Sequence, residues 1–212
     1  MARSPKYHID NSAGTLQFTR NWFVKRNLET FRAHVLPTWR GRQCLYLEIG
    51  VFEGQSLVWM MQHVLTHPRS RAVASDPWLC TTKLTGDFME DVRQRAIHNL
   101  KPYGDKCTLI RGNSAEVLRR MCGKGGYEGV QKGTVDLAMI DGDHNELAVL
   151  DDARHVIELV KIGGWILFDD VENDRPMDKH VKQGLDLFLA EFGGRVKRLW
   201  KHKYVECFER LS

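Results

Sequence analysis

From residue 44 onward, short β-branched or apolar runs alternate with longer stretches whose apolar residues recur at helical spacing. That alternation is the pattern of a parallel sheet with crossover helices. The runs that read as strands are Cys44–Ile49, Ala72–Ser75, Cys107–Arg111, Val135–Ile140 and Trp165–Phe168. Helical faces follow: Leu57, Met60 and Val64 after the first, then Met89, Val92, Ala96 and Leu100 after the second, opened by Asp87 with Glu90 three residues on, like a capping box. Leu147, Leu150, Ala153, Ile157 and Val160 make the clearest face, which Gly163-Gly164 are expected to stop. Val181, Leu185, Phe188 and Phe192 mark a helix after the fifth run. The end breaks the alternation. Residues 195–200 and 203–209 are strand-like runs separated only by Lys201 and His202, which forces an antiparallel hairpin. The front, Thr15 to Pro37, reads as helical, with Trp22, Phe23, Phe31 and Val35 as apolar anchors. It is expected to form a cap (residues 1–43) on a single core (residues 44–212).

Composition narrows the class. With 212 residues, 42% of them hydrophobic, the chain can bury a full core without disulfides or structural metal. Cys44, Cys80, Cys107, Cys122 and Cys207 are odd in number and scattered, with no C-x-x-C pair, and read as free thiols of a reducing compartment. The longest stretch without Asp, Glu, Lys or Arg, residues 54–68, is too short to span a bilayer. The opening residues lack the apolar run of a secretory signal, so a cytoplasmic protein with no membrane partner is expected. The net charge of +4 is mild, and basic residues such as Arg20, Arg26, Arg195 and Lys203 are interleaved with apolar ones. They read as solvated faces rather than a nucleic-acid footprint. The Gly-rich stretch 123–133 lacks Ser or Thr after its Lys, so it reads as a flexible connection and not a P-loop.

In an open parallel sheet, ligands lie beyond the carboxyl ends of the strands, and here those ends are acidic. The first ends in LEIGVFEGQS, with Glu48, Gly50 and Gly54 spaced E-x-G-x-x-x-G before a helix. Glycine lets the backbone turn tightly and approach a ligand, whereas Glu48 and Glu53 would repel a pyrophosphate at that helix mouth. The second ends in SDPW, where Asp76 stands either as a ribose-binding acid or as a turn former before Pro77. After the third, Ser114 is either a helix cap or an adenine contact. The fourth and fifth carry Asp141, Asp143 and His144, then Asp169 and Asp170. Adjacent strands lie about 4.8 Å apart, so these groups can converge, and gathered carboxylates call for a proton or a hard cation such as magnesium. The alternative is that some of them cap helices or pair with Arg154 or Arg175. His144 is either a surface histidine or a base suited to taking a hydroxyl proton.

Taken in order, EIGVFEGQS, ASDPW, GNSAE, MIDGDH and ILFDD with the closing hairpin resemble a class I S-adenosylmethionine-dependent methyltransferase over roughly residues 44–209. The pairing of MIDGDH with FDD is most similar to the metal-dependent macrocin and mycinamicin-type O-methyltransferases and their cephalosporin hydroxylase-like relatives. The resemblance implies a Rossmann-like, doubly wound, seven-stranded sheet, mostly parallel with the last strand antiparallel and helices on both faces. It places Glu48, Gly50, Gly54 and Ser56 on the methionine part of the cofactor, Asp76 on the ribose, Ser114 on the adenine and Asp141 beside the cofactor. It makes Asp141, Asp169 and Asp170 the magnesium ligands and His144 the catalytic base. His144 and Asp170 depart from the catechol-type pattern, which carries Lys and Asn, and lean toward sugar or aliphatic hydroxyls.

The expected reaction is transfer of a sulfonium methyl to a hydroxyl of a small molecule, with magnesium and His144 preparing the oxygen. Trp22, Trp78, Arg175, the segment 78–86 and the loop 171–178 surround the expected mouth. A metal-independent methyltransferase of nucleic acid or protein, and an inactive binding module on the same scaffold, are the alternatives. A nicotinamide oxidoreductase is disfavoured by Glu48 and the absent G-x-G-x-x-G. Oligomeric state is left open, a homo-oligomer being permitted.

Overall fold

The structure is a computed structural model that describes residues 7–79, 86–171 and 179–212. Its helical elements in chain order are α1 (Trp22–Arg26), α2 (Leu28–Thr30), a π-helical turn (Phe31–Val35), α3 (Leu36–Trp39), α4 (Gln55–His63), α5 (Gly86–Leu100), α6 (Ser114–Cys122), α7 (Glu146–Leu159) and α8 (Lys179–Phe192). The strands are β1 (Leu45–Ile49), β2 (Arg71–Asp76), β3 (Cys107–Arg111), β4 (Val135–Ile140), β5 (Val160–Phe168), β6 (Val196–His202) and β7 (Val205–Arg210). They form one seven-stranded sheet in the order β3-β2-β1-β4-β5-β7-β6. The pairs from β3 to β5 are parallel, and β7 runs antiparallel to both β5 and β6. This is the Rossmann-like methyltransferase topology expected from the sequence.

The period of two along each strand divides the core between the two faces. Tyr46, Ala72, Ala74, Leu137, Met139, Leu167 and Cys207 point to one side, where α4, α5 and the N-terminal helices pack. Leu47, Ile49, Val73, Ala138, Ile140, Phe168 and Phe208 point to the other, against α6, α7 and α8. Phe31, from the N-terminal helices, is fully buried and meets Phe23 and Trp59 edge-on, with ring centroids 5.1 and 5.9 Å away. Burying one such ring contributes about 1.5–3 kcal/mol, so α1–α3 are held by the core and not only by polar contacts.

Several local expectations are corrected. Residues 15–21 are not helical, because their backbone is bonded by side chains of the core and not by its own turns: Asn99 Oδ1 accepts from Gln17 N, and Glu53 from Thr19 N. Trp22 is no buried anchor, being half exposed. Helix α7 ends at Leu159 because Val160 turns extended, and Gly163-Gly164 lie inside β5. Leu147 is exposed, so the α7 face begins one turn later. Glu90 does not close a capping box; its carboxylate is taken by Arg93, Gln94 and Arg111. The hairpin turns at Lys203-Tyr204 instead of Lys201-His202, with Lys203 at φ +52°. Cys44, Cys107, Cys122 and Cys207 are unpaired, whereas Cys80, Arg175 and most of the loop 171–178 lie outside the described residues. No helix among the described residues is long and apolar enough to cross a membrane.

Close packing of α8 on α7 depends on Gly184, where a Cβ would sit 2.7 Å from the Glu146 carbonyl oxygen and from Val149 Cβ. Alanine is favoured over glycine in a helix by about 1 kcal/mol. A backbone carbonyl cannot step aside as a flexible side chain would, and overpacking costs about 1–3 kcal/mol. Gly184→Ala is expected to lower stability, read as a lower urea midpoint; a raised midpoint would show that the two helices are not in tight contact.

Candidate active site

The strand registers bring the acidic residues together. Ile49 pairs with Ser75 on one side and Ile140 on the other, and Ile140 pairs with Phe168. The ladder continues one step past the strand ends: Gly50 N donates to Ser75 O at 2.9 Å, Asp141 N to Ile49 O at 2.8 Å and Asp169 N to Ile140 O at 3.0 Å. Gly50, Asp141 and Asp169 therefore share one rung at the carboxyl end of the sheet. Gly50 has φ +87°, and a Cβ there would lie 1.8 Å from the Asp141 carbonyl oxygen, so no larger residue fits between the ends of β1 and β4.

Above this rung is a cavity of about 330 Å³. Gly50, Ser56, Asp76, Asp141, His144, Asp169 and Asp170 are in its wall, together with Gly142, Glu53 and residues of the N-terminal segment: Arg20, Trp22, Arg26 and Asn27. Of the residues expected to touch the cofactor, Glu48, Gly54 and Ser114 are not in the wall. Glu48 is buried directly behind it, its Oε1 accepting from Ser56 Oγ at 2.5 Å and its Oε2 from Tyr46 Oη at 2.6 Å. Ser114 is not the cap of α6; Asn113 takes that role through its side chain on Ala115 N. Asp152, a buried acid of α7, has its carboxyl raised to about 6 by burial. Asp76 clamps the turn after β1, with Oδ2 accepting from Val51 N and Phe52 N at 2.8 and 3.0 Å and Oδ1 from Trp78 N at 2.7 Å. Trp78 is buried under Phe52, while Trp22 stands at the mouth with its ring 4.8 Å from that of Phe52.

Asp141, His144 and Asp170 bring one ligand atom each to within 4.8 Å of one another. Asp143 turns away to accept from Asn145 N, whose own side chain caps α7. Asp169 is oriented by two donors, Asp170 N at 2.8 Å on Oδ1 and Asn27 Nδ2 at 2.5 Å on Oδ2. Asp170, at φ +54°, accepts from Arg26 Nη1 at 2.8 Å and lies 3.7 Å from His144 Nε2.

Crowding these acids at a buried edge shifts their protonation. Burial pushes the Asp141 carboxyl well up, helped by the charges of Asp169 and Asp170. Burial raises Asp169 to about 7, with Asp170 adding to it and the bonds from Asp170 N and Asn27 opposing it. Burial likewise raises Glu48 to about 7 against the opposing bonds from Ser56 and Tyr46. The cluster holds more carboxylates than the Arg26 guanidinium paired with Asp170 offsets, and its oxygen and imidazole ligand atoms fit a divalent cation.

A model of a methyltransferase domain matches residues 47–171, more than half of the chain. The chain belongs to the S-adenosylmethionine-dependent methyltransferases. A protein of Acanthamoeba polyphaga mimivirus, "Uncharacterized protein R132", is 24% identical over 94% of this chain and 87% of its own length. Among solved structures, a putative O-methyltransferase from Klebsiella pneumoniae superposes with a TM-score of 0.61 at 19% identity, covering 95% of this methyltransferase and 86% of that chain. MycE, a methyltransferase of mycinamycin biosynthesis in complex with Mg, SAH and mycinamycin VI, superposes with a TM-score of 0.57 at 18% identity, covering 99% of this chain and 56% of its own. At such identities these likenesses establish a shared fold.

Sequence reasoning missed Arg26 and Asn27 as partners of the site's aspartates, since nothing in the helical period of residues 22–39 says which neighbour their polar face meets. Glu53 was placed at the helix mouth, but it is buried by Thr19 and Arg95.

The Glu48 shift has a sign that stability measurements read directly. Its pKa in the folded methyltransferase, about 7, lies above the ordinary 4.5, so the folded state holds more protons between those values. Stability from this group is present below pH 4.5 and is lost as pH rises through 7. Glu48→Gln is expected to flatten the fall in urea midpoint between pH 5 and pH 8 relative to the parent; parallel curves would mean that Glu48 is ionised throughout.

Proposed function

We propose that this methyltransferase moves the methyl group of S-adenosylmethionine to a hydroxyl of a small molecule, with magnesium or a similar divalent cation at Asp141, Asp169 and Asp170. The observation that carries the reading is the convergence of Asp141 and Asp170 with His144 beside the cavity, with Asp169 on the same rung as Asp141 although its two oxygens already accept from Asp170 N and Asn27. The complex of MycE, a protein of the same fold, with magnesium supports it.

In this reading Gly50 lets the cofactor approach the end of β1, and Ser56, held by Glu48, faces its methionine part. Asp76 is already committed to three backbone N–H groups, so it offers the ribose only its remaining acceptor capacity. Ser114 is assigned to the adenine end through the rim of α6. A bound divalent cation supplies Lewis-acid lowering of the acceptor hydroxyl pKa. His144, whose Nε2 lies 3.7 Å from Asp170 Oδ2, takes the hydroxyl proton. The walls contributed by Trp22 and Phe52 exclude water and orient the acceptor. The chemistry calls for no covalent intermediate, because the sulfonium methyl is already activated and needs only an aligned nucleophile. A cytoplasmic setting and a small-molecule partner, rather than a membrane or a nucleic acid, belong to the same proposal.

Calorimetric titration with S-adenosylhomocysteine, followed by transfer assays on sugars and phenols with and without chelator, tests the proposal. Saturable binding and chelator-sensitive transfer are expected, with His144→Ala slowing transfer about 10²–10⁴-fold and little changing cofactor affinity. Transfer indifferent to chelation would favour the metal-independent alternative, and absence of binding would remove the reading.

A further inference from the structure

The cavity wall holds a cation that the chain supplies itself. Arg26 closes α1, and its Nη1 lies 2.8 Å from Asp170 Oδ1, with the two side chains 23% and 12% exposed. Asp170 is also a member of the cluster with Asp141 and His144. A guanidinium and a divalent ion on one carboxylate repel each other, and both draw on the same lone pairs.

We propose that Arg26 sets the affinity of the site for its divalent cation, by occupying Asp170 until an ion displaces it. The inference rests on the metal reading given above and extends it to a residue outside the carboxylate set. Arg26 has a second perch: its guanidinium carbon lies 5.4 Å from the ring centroid of Tyr204, so the displaced charge can rest on an aromatic face without leaving the wall. The adjacent Asn27 is pulled the same way. Its Nδ2 donates to Asp169, while its Oδ1 is buried with no hydrogen-bond partner, an arrangement that leaves an acceptor unsatisfied. Arg26 and Asn27 thus dock the N-terminal helices on the two aspartates that end β5, and they do so with donors suited to carboxylates without an ion. Trp22, one turn before Arg26, covers Phe52 at the mouth, so a shift of Arg26 along α1 reaches the cavity opening.

Mn²⁺ titration of the purified full chain, followed by water-proton relaxation, tests this with the metal alone. Arg26→Gln is expected to bind Mn²⁺ at least tenfold more tightly than the parent, while Arg26→Lys, which keeps the charge, stays close to the parent. Equal affinity in the parent and Arg26→Gln overturns the proposal and leaves the metal reading standing. Absence of Mn²⁺ binding in the parent and both variants overturns the metal reading, and the proposal falls with it. Should Arg26→Gln fail to fold, hydrogen exchange on the parent decides: faster exchange over residues 22–27 at saturating Mn²⁺ is expected, and unchanged exchange overturns the displacement.

Discussion

Burying several carboxylates at one edge of a sheet is the constraint to which most of this methyltransferase answers. Each charge taken from water must find a donor, a counter-charge or a proton. The register of β1, β4 and β5 puts Gly50, Asp141 and Asp169 on a common rung, so their proximity follows from backbone pairing and cannot be relieved by a rotamer change. What remains adjustable is the surroundings. Tyr46 and Ser56 each donate to Glu48, backbone N–H groups saturate most of Asp76, and Asp141 and Asp169 are pushed toward holding their protons.

The N-terminal segment completes this compensation and at the same time builds the cavity. Thr19 bonds Glu53, Gln55 bonds the Arg20 carbonyl, Asn27 bonds Asp169 and Arg26 bonds Asp170. Phe23, Leu28, Phe31 and Val35 sink into the core against α4. Apolar burial therefore fixes where the segment lies, and its polar groups then meet the acids that the sheet presents. One stretch of chain acts as a wall of the cavity, as partner to the acidic edge and as part of the hydrophobic core.

These roles explain why the site has acids on the sheet side and cations on the other. A sulfonium cofactor and a divalent ion both carry positive charge, and a sheet edge rich in carboxylates favours them over a dinucleotide pyrophosphate. Arg26, paired with Asp170, offsets part of that field. The arrangement joins the electrostatics of ligand binding to the position of α1, because both act through Asp169 and Asp170.

Much of the architecture was legible in the sequence because strand and helix periods are local. Five strands, the closing hairpin and the faces of α4, α5, α7 and α8 follow from spacing alone, and Asp141, His144 and Asp170 were recognisable as residues at strand ends. Boundaries fared less well: Gly163-Gly164 look like a helix stop, yet pairing with β4 and β7 draws their neighbours into β5. The composition of the site was only half visible. Glu48 and Ser114 belong to the right strand ends, but whether a side chain such as Glu48 faces a cavity or a neighbouring hydroxyl depends on atoms brought in from Tyr46 and Ser56. Arg26 and Asn27 lie more than 140 residues from the aspartates they bond. Sequence determined which residues stand at the ends of the strands, because hydrophobic periodicity is written residue by residue. Only the tertiary structure decided which charges face one another, because that depends on docking a distant helix by burial of its apolar side.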